Sequence, residues 1–231
     1  MKIYFLVLSL LFLASCGKRY APVSHDKSII PYTQEFLEAA SDRGVASKLG
    51  NISLKFTDSK NRSVLGTCTI MYKMDWQMKK YEYGRKIEVD REHWENASDS
   101  QRMQLITHEM GHCSLNRDHR KGYITYRASA SGTSGSNYLD LSVMNPYRLS
   151  DAEYQNYKEY YLEELFNPKV NMVAVLSEMT ALPNEYFAVY ASSTDASMAS
   201  LAEEDGSLPL YIDPTLDHDD CVQTETVSED E

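Results

Sequence analysis

The chain has 231 residues, a length typical of one domain with short extensions, and its 42% of hydrophobic residues is sufficient for an ordinary core. All 23 Lys and Arg residues lie within residues 1–169 together with 20 Asp and Glu, whereas residues 170–231 hold the other 14 acidic residues and no base. The formal charge of −11 therefore belongs to the tail, and the lack of a basic face excludes a nucleic-acid partner.

The N-terminus has the pattern of an export signal. An apolar run over residues 3–13 is too short to cross a bilayer as a retained helix. It leads into Leu-Ala-Ser-Cys, ending at Cys16, which is similar to a bacterial lipobox, the motif whose cysteine receives a lipid. The resemblance implies a lipoprotein signal peptide over 1–15, a lipidated Cys16 and a polar tether over 16–30. An uncleaved anchor or an ordinary secretory signal is the alternative.

Gly17, the residue after this cysteine, is informative about which membrane would hold the lipoprotein. By resemblance to enterobacterial lipoproteins, Gly17 gives no signal for retention at the inner membrane. We therefore expect the chain in the bacterial cell envelope, attached through the lipid to the outer membrane or the cell surface.

Export places the remaining cysteines in an oxidising compartment, where a disulfide is permitted. Of the three, Cys221 lies in the acidic tail, so we expect the two within the folded region, Cys68 and Cys113, to be bonded to each other. A buried thiol at each position is the alternative.

Hydrophobic periodicity predicts a folded domain over residues 31–169. Apolar residues at helical spacing indicate a first helix, and alternating apolar residues indicate three strands, after which Trp94 follows as a core anchor. The predicted elements before Trp94 are a helix that ends near Gly44, strands over 51–56, 63–72 and 86–90, and a charged, Tyr-rich connection over 73–85.

The next helix has a clear start. Ser98 and Gln101 match a capping box, in which each side chain satisfies a backbone amide at the beginning of a helix. We expect this helix to run to about Leu115. Its apolar stripe, which should face the sheet, consists of Ile106, Met110 and Cys113.

The remaining elements follow from composition and capping signals. Residues 120–141 are rich in Gly, Ser and Thr, which predicts a long surface loop. A second capping-box pattern over 150–153 opens a Tyr-rich helix that ends near residue 167. The tail, residues 170–231, is predicted to be largely disordered because its composition shifts to Ser, Ala, Asp and Glu.

The motif that carries chemistry lies in the predicted capped helix, where His108, Glu109 and His112 form HExxH. Four helical residues turn about 400°, so both imidazoles lie on one face and can bind one metal ion. Glu109, about 100° away, is placed to act as the base for a metal-bound water. Neutral imidazoles suit Zn²⁺, whose catalytic sites have three protein ligands and one open position.

The third ligand separates two designs of zinc site. A glutamate from a later helix is not available nearby, since no Glu occurs between Cys113 and Ala152. His119, seven residues after His112, can return to the same ion if the chain turns sharply after the helix.

Here the sequence resembles a known family. Residues His108 to His119, HEMGHCSLNRDH, are similar to the metzincin motif HExxHxxGxxH. The usual glycine falls on Leu115, and the third histidine comes one residue late. Strict spacing would place Asp118 on the metal, but this requires a left-handed turn at Leu115, which a bulky side chain disfavours. Asn116 tolerates that conformation better, so we favour His119 over Asp118.

A second feature supports the resemblance. Residues 142–146, Ser-Val-Met-Asn-Pro, are similar to the Met-turn that lies below the metal in metzincins. The resemblance implies that Met144 forms an apolar floor under the imidazoles, whereas an ordinary turn packed into the core is the alternative. In some metzincins a tyrosine just after this turn contacts the metal or stabilises the transition state, so Tyr147 is a candidate for that contact.

The order of elements resembles the metzincin layout. More closely, residues 31–168 are similar to small bacterial metallopeptidase lipoproteins, on the string that runs from Gly66-Thr67-Cys68 through Ile87-Glu88-Val89-Asp90 and Trp94 into HEMGHC and on to the Met-turn and the Tyr-rich helix. This resemblance implies an α+β, metzincin-like zincin fold: a small twisted sheet packed on two long helices, then a C-terminal subdomain with the Met-turn and a terminal helix. The implied activity is that of a cell-envelope zinc endopeptidase with one catalytic Zn²⁺ and protein or peptide substrates. The alternatives are a cell-wall peptide hydrolase and a surface-anchored binding lipoprotein without turnover.

Overall fold

The computed structural model describes residues 23–24, 26–45, 52–58, 64–126, 137–191, 210–212 and 224–228. The predicted signal peptide, the lipidation site at Cys16 and the third cysteine, Cys221, lie outside these ranges. Within them, no helix is both long enough and apolar enough to cross a bilayer. Two sheets and several helices make up the fold, which is the α+β class that the sequence predicts.

The elements in chain order, with strands and helices numbered separately, are β1 (Val23–Ser24), α1 (Ile30–Asp42), β2 (Ile52–Thr57), β3 (Gly66–Met74), β4 (Lys80–Asp90), α2 (Arg91–Asn96), α3 (Asp99–Leu115), β5 (Gly122–Tyr126), β6 (Asn137–Asp140), α4 (Asp151–Asn156), α5 (Lys158–Phe166), α6 (Met172–Thr180), a 3₁₀ turn (Asn184–Tyr186), β7 (Phe187–Ala191), β8 (Leu210–Ile212) and β9 (Thr224–Ser228).

The larger sheet has the strand order β1-β2-β4-β3-β9. Strands β1, β2 and β4 are parallel, β3 is antiparallel to β4, and β9 is parallel to β3. The sequence predicts a connection over residues 73–85, and the structure instead continues both strands through this segment to a tight hairpin. Lys73 pairs with Tyr81 and Met74 with Lys80, so backbone pairing extends beyond the apolar alternation that marks the two predicted strands.

Helix α3 begins where its capping box predicts. The Ser98 hydroxyl accepts a hydrogen bond from the Gln101 amide, and the Gln101 side-chain oxygen accepts one from the Ser98 amide. The helix packs on β3 and α1. Its predicted apolar stripe is fully buried, and so is the predicted anchor Trp94, whose ring contacts those of Tyr32 and Phe56.

A disulfide joins the sheet to α3. Cys68 on β3 and Cys113 on α3 are bonded, which is the pairing that the sequence favours. The bond spans a sequence separation of 45 residues. Closing a loop of this length removes about 4 kcal/mol of chain entropy from the unfolded state.

A second sheet, with the order β6-β5-β7-β8, corrects the prediction of a long loop over 120–141. Strands β5 and β6 form an antiparallel pair within that segment, and β7 adds to the other edge of β5. The Gly, Ser and Thr content conceals the pairing, because the partner strand β7 lies far away in sequence and only tertiary contacts reveal it.

The described secondary structure continues past residue 169, the predicted end of the domain. Helix α6 and strand β7 follow that boundary and contribute Val173, Leu176, Phe187 and Val189 to the core. Strands β8 and β9 then add one strand to each sheet. The rest of the predicted disordered tail lies outside the described residues.

The Tyr-rich segment after the Met-turn forms two helices, α4 and α5, where the sequence predicts one. The break is at Tyr157, whose φ of −119° is not helical. The Tyr157 hydroxyl lies 2.6 Å from that of Tyr126 on β5, so the break connects the helices to the second sheet.

Candidate metal centre

Three histidine side chains converge at the end of α3. His108 and His112 lie one turn apart on this helix, and His119 comes from the loop that follows it. Their Nε2 atoms form a nearly equilateral triangle, with 3.1 Å from His112 to each of His108 and His119 and 3.2 Å between His108 and His119. The structure therefore brings together the three histidines of the predicted ligand set.

The chain reverses after α3 at a left-handed residue. Asn116, one residue past the helix end, has φ 53° and ψ 40°. Arg85 on β4 holds this turn, because its Nη1 donates to the Cys113 carbonyl and, over 2.7 Å, to the side-chain oxygen of Asn116. A cation is favourable here, since the last carbonyls form the negative end of the helix dipole. The turn expected at Asn116 is present and returns His119 to α3.

Two backbone carbonyls set the orientation of the helical imidazoles. Nδ1 of His108 donates to the Val143 carbonyl over 2.9 Å, and Nδ1 of His112 donates to the Arg117 carbonyl over 2.6 Å. With the proton on Nδ1, the lone pair of each ring is on Nε2 and points into the triangle. Burial and the adjacent imidazole lower the pKa of His108 and of His112 to about 4, so both rings are neutral at pH 7.

This donor set fits a tetrahedral metal ion. Nitrogen ligands at about 2.0–2.1 Å from a tetrahedral Zn²⁺ lie about 3.3–3.4 Å apart, which is close to the spacing of the three Nε2 atoms. Lone pairs that face one another at this distance repel unless a cation lies between them. Asp118, the alternative ligand, is exposed and is not a member of the cluster. The residues that would hold a metal are therefore His108, His112 and His119.

The three histidines, His108, His112 and His119, are called the triad below. The carboxyl group of Glu109 is buried next to them. The residue is only 5% exposed, and burial raises the pKa of its carboxyl group to about 8. Its Oε2 atom has no hydrogen-bond partner among the described residues. A buried polar atom of this kind is costly unless water or a ligand satisfies it, so Oε2 is available to a molecule that enters the site.

Gly66, the first residue of β3, makes room for this carboxyl group. A Cβ atom at position 66 would lie 2.6 Å from Oε1 of Glu109 and 2.8 Å from its Cδ and Cγ atoms. These distances are far inside van der Waals contact. The sequence does not identify Gly66 as a site residue, because β3 and α3 meet only in the folded chain.

Met144, in the predicted Met-turn, packs against α3 at the glycine of the HExxH motif. It is fully buried, and a Cβ atom on Gly111 of α3 would lie 2.5 Å from its sulfur. The glycine within HExxH therefore allows the turn to pack directly against the helix. The preceding residue, Val143, supplies the carbonyl that orients His108.

A buried ion cluster that the sequence does not reveal joins the turn to the loop of His119. Oε1 of Glu164, on α5, accepts hydrogen bonds from Arg117 and Arg120, each over 2.6 Å. Its Oε2 accepts one from the Ser142 hydroxyl over 2.5 Å. Because Glu164 is fully buried, water does not weaken these charge-assisted hydrogen bonds. They hold the Met-turn and the loop of His119 in place around the triad.

A cleft opens beside His108, between the start of β3 and residues 143–148. Tyr147, the candidate for a transition-state contact, lines this cleft with an exposed side chain. Two further buried atoms of the lining, Nε2 of His93 and Nε2 of Gln104, also lack a hydrogen-bond partner among the described residues. The cleft therefore offers several polar groups to a bound ligand.

An α+β fold with three convergent histidines and an adjacent buried glutamate is the arrangement of a metal-dependent hydrolase. A protein-family model described as "Putative phage metallopeptidase" matches residues 28–136. The matched segment contains all of α3, Glu109 and the three histidines, and it ends before the turn at Met144. The chain is thus similar to a metallopeptidase family, which supports a metal-dependent peptidase. No curated protein and no solved structure gives a significant match.

Proposed function

We propose that the chain is a zinc-dependent, metzincin-like endopeptidase. The observation that carries this proposal is the convergence of three imidazole nitrogens beside a buried carboxyl group with an unpartnered oxygen. Imidazole is a common ligand of Zn²⁺, and three protein ligands leave one position for water or substrate, as a catalytic site requires. A purely structural zinc site would have no need of Glu109.

Glu109 acts as base and then as acid in this proposal. When bound, a zinc ion supplies Lewis-acid chemistry, since it lowers the pKa of a bound water to about 7 and polarises a carbonyl group. With a cation held by the three histidines, the pKa of the adjacent Glu109 carboxyl group would fall below its metal-free value of about 8. The ionised Oε2 of Glu109 accepts a proton from the attacking water as the water oxygen bonds to the carbonyl carbon of the substrate. Glu109 then returns that proton to the amide nitrogen as the peptide bond breaks. Tyr147 donates a hydrogen bond to the negative charge that develops on the carbonyl oxygen.

The substrate backbone is proposed to lie along the start of β3, next to Glu109. Extended peptides bind to the exposed edge of a sheet through backbone hydrogen bonds. Within the described residues, β9 pairs with β3 from Thr69 to Lys73, so its pairing begins beyond the cleft. The edge nearest the triad, residues 64–68, is therefore the position for a bound peptide.

We also propose that the chain is a lipoprotein of the cell envelope. The support is the lipobox-like sequence that ends at Cys16 and the apolar run before it. The disulfide between Cys68 and Cys113 is consistent with export, because such bonds are rare in the reducing cytosol. In this proposal the acylated Cys16 attaches the domain to the outer membrane or the cell surface.

Removal of the metal should abolish peptide hydrolysis. We expect the zinc-loaded chain to cleave unfolded casein, 1,10-phenanthroline to stop the cleavage, and added Zn²⁺ to restore it, because the three histidines alone cannot polarise a carbonyl. Gel electrophoresis of the digests measures all three states. Cleavage of purified peptidoglycan but not of casein would favour the cell-wall hydrolase. Zinc binding without hydrolysis of either substrate would favour the binding lipoprotein and contradict the proposal.

Gly66→Ala should reduce hydrolysis by about a hundredfold while leaving zinc binding intact. The added methyl group displaces the carboxyl group of Glu109, and a misplacement of about 1 Å in a catalytic group costs roughly this factor in rate. Kinetics with a quenched fluorescent peptide, together with a zinc titration, measures both properties.

Gly84→Ala, on the same hairpin, is the matched control. Its Cβ atom would meet only the terminal methyl group of Met71, at 3.0 Å, and that group can move. The control should therefore keep its activity, and equal kcat values for the two variants would argue against the role of Gly66.

A further inference from the structure

The end of the β3–β4 hairpin, residues 73–83, exposes large apolar side chains and is called the hairpin tip. Trp76 is 88% exposed and Met78 is 75% exposed. Four successive residues of β4, Lys80–Tyr83, are also exposed, so both faces of the ribbon meet solvent. The apolar residues of the tip with substantial exposure are Met74, Trp76, Met78, Tyr81 and Tyr83. Among the residues that the structure describes, the exposed part of the tip therefore extends beyond the buried core.

The turn itself holds these side chains outward. Met78 has a φ of 61°, a left-handed conformation that is unfavourable for a residue with a side chain. The Asp75 carboxylate accepts hydrogen bonds from the amides of Gln77 and Lys79, each over 2.8 Å, and the Met78 amide donates to the Asp75 carbonyl over 2.9 Å. Because these bonds maintain the strained conformation, the exposure of Trp76 and Met78 is built into the turn.

The tip also carries cationic side chains. Its two acidic residues are Asp75, which accepts hydrogen bonds from the turn amides, and Glu82, which pairs with Arg85 through contacts of 2.6 and 2.9 Å. Its basic residues are Lys73, Lys79 and Lys80. The Nζ atoms of Lys73 and Lys80 lie over the rings of Tyr83 and Tyr72, respectively. The tip therefore combines exposed aromatic and thioether groups with a cluster of lysines.

We propose that the hairpin tip inserts into the interface of an anionic phospholipid membrane. Tryptophan and tyrosine rings settle at the headgroup level, methionine reaches the acyl boundary, and lysines bind anionic headgroups. A partner protein would cover one face of a projecting ribbon and leave the other in water, whereas a bilayer interface covers both. This favours a lipid surface over a protein surface.

The hairpin tip and the chain that precedes β1 lie at the same end of the larger sheet. Strands β1, β2 and β4 are parallel, and in their register Val23 pairs with Ser53, which in turn pairs with Lys86. From Lys86 to Lys80 the strand advances about 20 Å, at about 3.3 Å per residue. The seven residues from Cys16 to Val23 span at most about 25 Å. The proposed lipid anchor and the tip can therefore reach one membrane surface together.

Trp76 fluorescence tests this inference independently of peptidase activity. The full chain is mixed with vesicles of phosphatidylethanolamine and phosphatidylglycerol, with and without brominated acyl chains. The chain has 2 Trp residues, so the difference between wild type and Trp76→Phe isolates the emission of Trp76. We expect a blue shift of this emission on the vesicles and loss of more than half of it on brominated lipid. Unchanged Trp76 emission on vesicles that carry the chain, or no co-sedimentation with them, would overturn the proposal.

Matched variants distinguish vesicle binding through the tip from nonspecific binding of the chain to vesicles. Lys79→Gln combined with Lys80→Gln should lower the equilibrium constant for insertion about thirtyfold, as expected for two lysines near an anionic surface. Lys169→Gln, an exposed lysine far along the sequence, is the charge control and should leave insertion unchanged. Trp76→Ser should reduce vesicle binding, whereas Tyr138→Ser, which removes an exposed aromatic side chain from β6, should not. Equal effects of tip and control variants would contradict a specific role of the tip.

Discussion

Glu109→Gln should lower kcat for peptide hydrolysis by about 10²–10⁴-fold and leave zinc binding unchanged. The amide has the size and shape of the carboxyl group, so it fits the space beside Gly66, but it cannot take a proton from water. The three Nε2 atoms that would hold the metal are untouched. Peptide kinetics and a zinc competition titration on the same preparation measure the two properties.

The same variant should change how stability depends on pH. In the metal-free chain, burial raises the pKa of Glu109 from its ordinary value of 4.5 to about 8. The folded state therefore holds this proton more tightly than the unfolded state, and the contribution of Glu109 to the free energy of unfolding is lost as the pH rises from about 4.5 to about 8. Glu109→Gln has no such proton, so the melting temperature of the variant should gain on that of wild type as the pH rises over that range. The lowered pKa values of His108 and His112 act in both proteins, so this difference isolates Glu109.

Glu95→Gln is the control for the kinetic measurement. Glu95 is an exposed residue of α2, outside the cleft lining, so its replacement should leave kcat unchanged. Unchanged turnover of casein by Glu109→Gln would contradict the assignment of Glu109 as the base.

The positions of the three histidines could be predicted from the sequence, because they all lie on α3 or directly after it. The capping box at Ser98 fixes where α3 begins, and helical geometry then places His108 and His112 on one face. The position of His119 also follows, because Asn116 is the residue near the helix end that best tolerates a left-handed conformation. Short-range backbone preferences are sufficient to predict this part of the geometry.

The supporting part of the site could not be predicted, because it depends on contacts between distant segments. Gly66 and Glu164 lie on β3 and α5, and nothing in the residues around them indicates that they contact Glu109 or the loop of His119. The second sheet could not be predicted for the same reason, because β5 and β7 pair although they are far apart in the sequence. Such contacts are set by tertiary packing and leave no periodic signal in the chain.

His119→Ala should weaken zinc binding by at least about a hundredfold. The apparent binding energy of a four-ligand zinc site is about 10–16 kcal/mol, so the loss of one ligand removes roughly 3 kcal/mol. Asp118→Ala is the adjacent control: Asp118 is exposed and outside the triad, and its replacement should leave the affinity unchanged. Circular dichroism of the metal-free variants shows whether each is folded, which separates loss of a ligand from loss of the structure.

Competition of the full chain with a chromophoric zinc chelator, for wild type, His119→Ala and Asp118→Ala, is the most direct measurement of the central claim. The triad predicts one tightly bound zinc per chain in wild type and in Asp118→Ala, and a large loss of affinity in His119→Ala alone. Equal affinity of wild type and His119→Ala, or a loss confined to Asp118→Ala, would contradict a site built by three imidazoles.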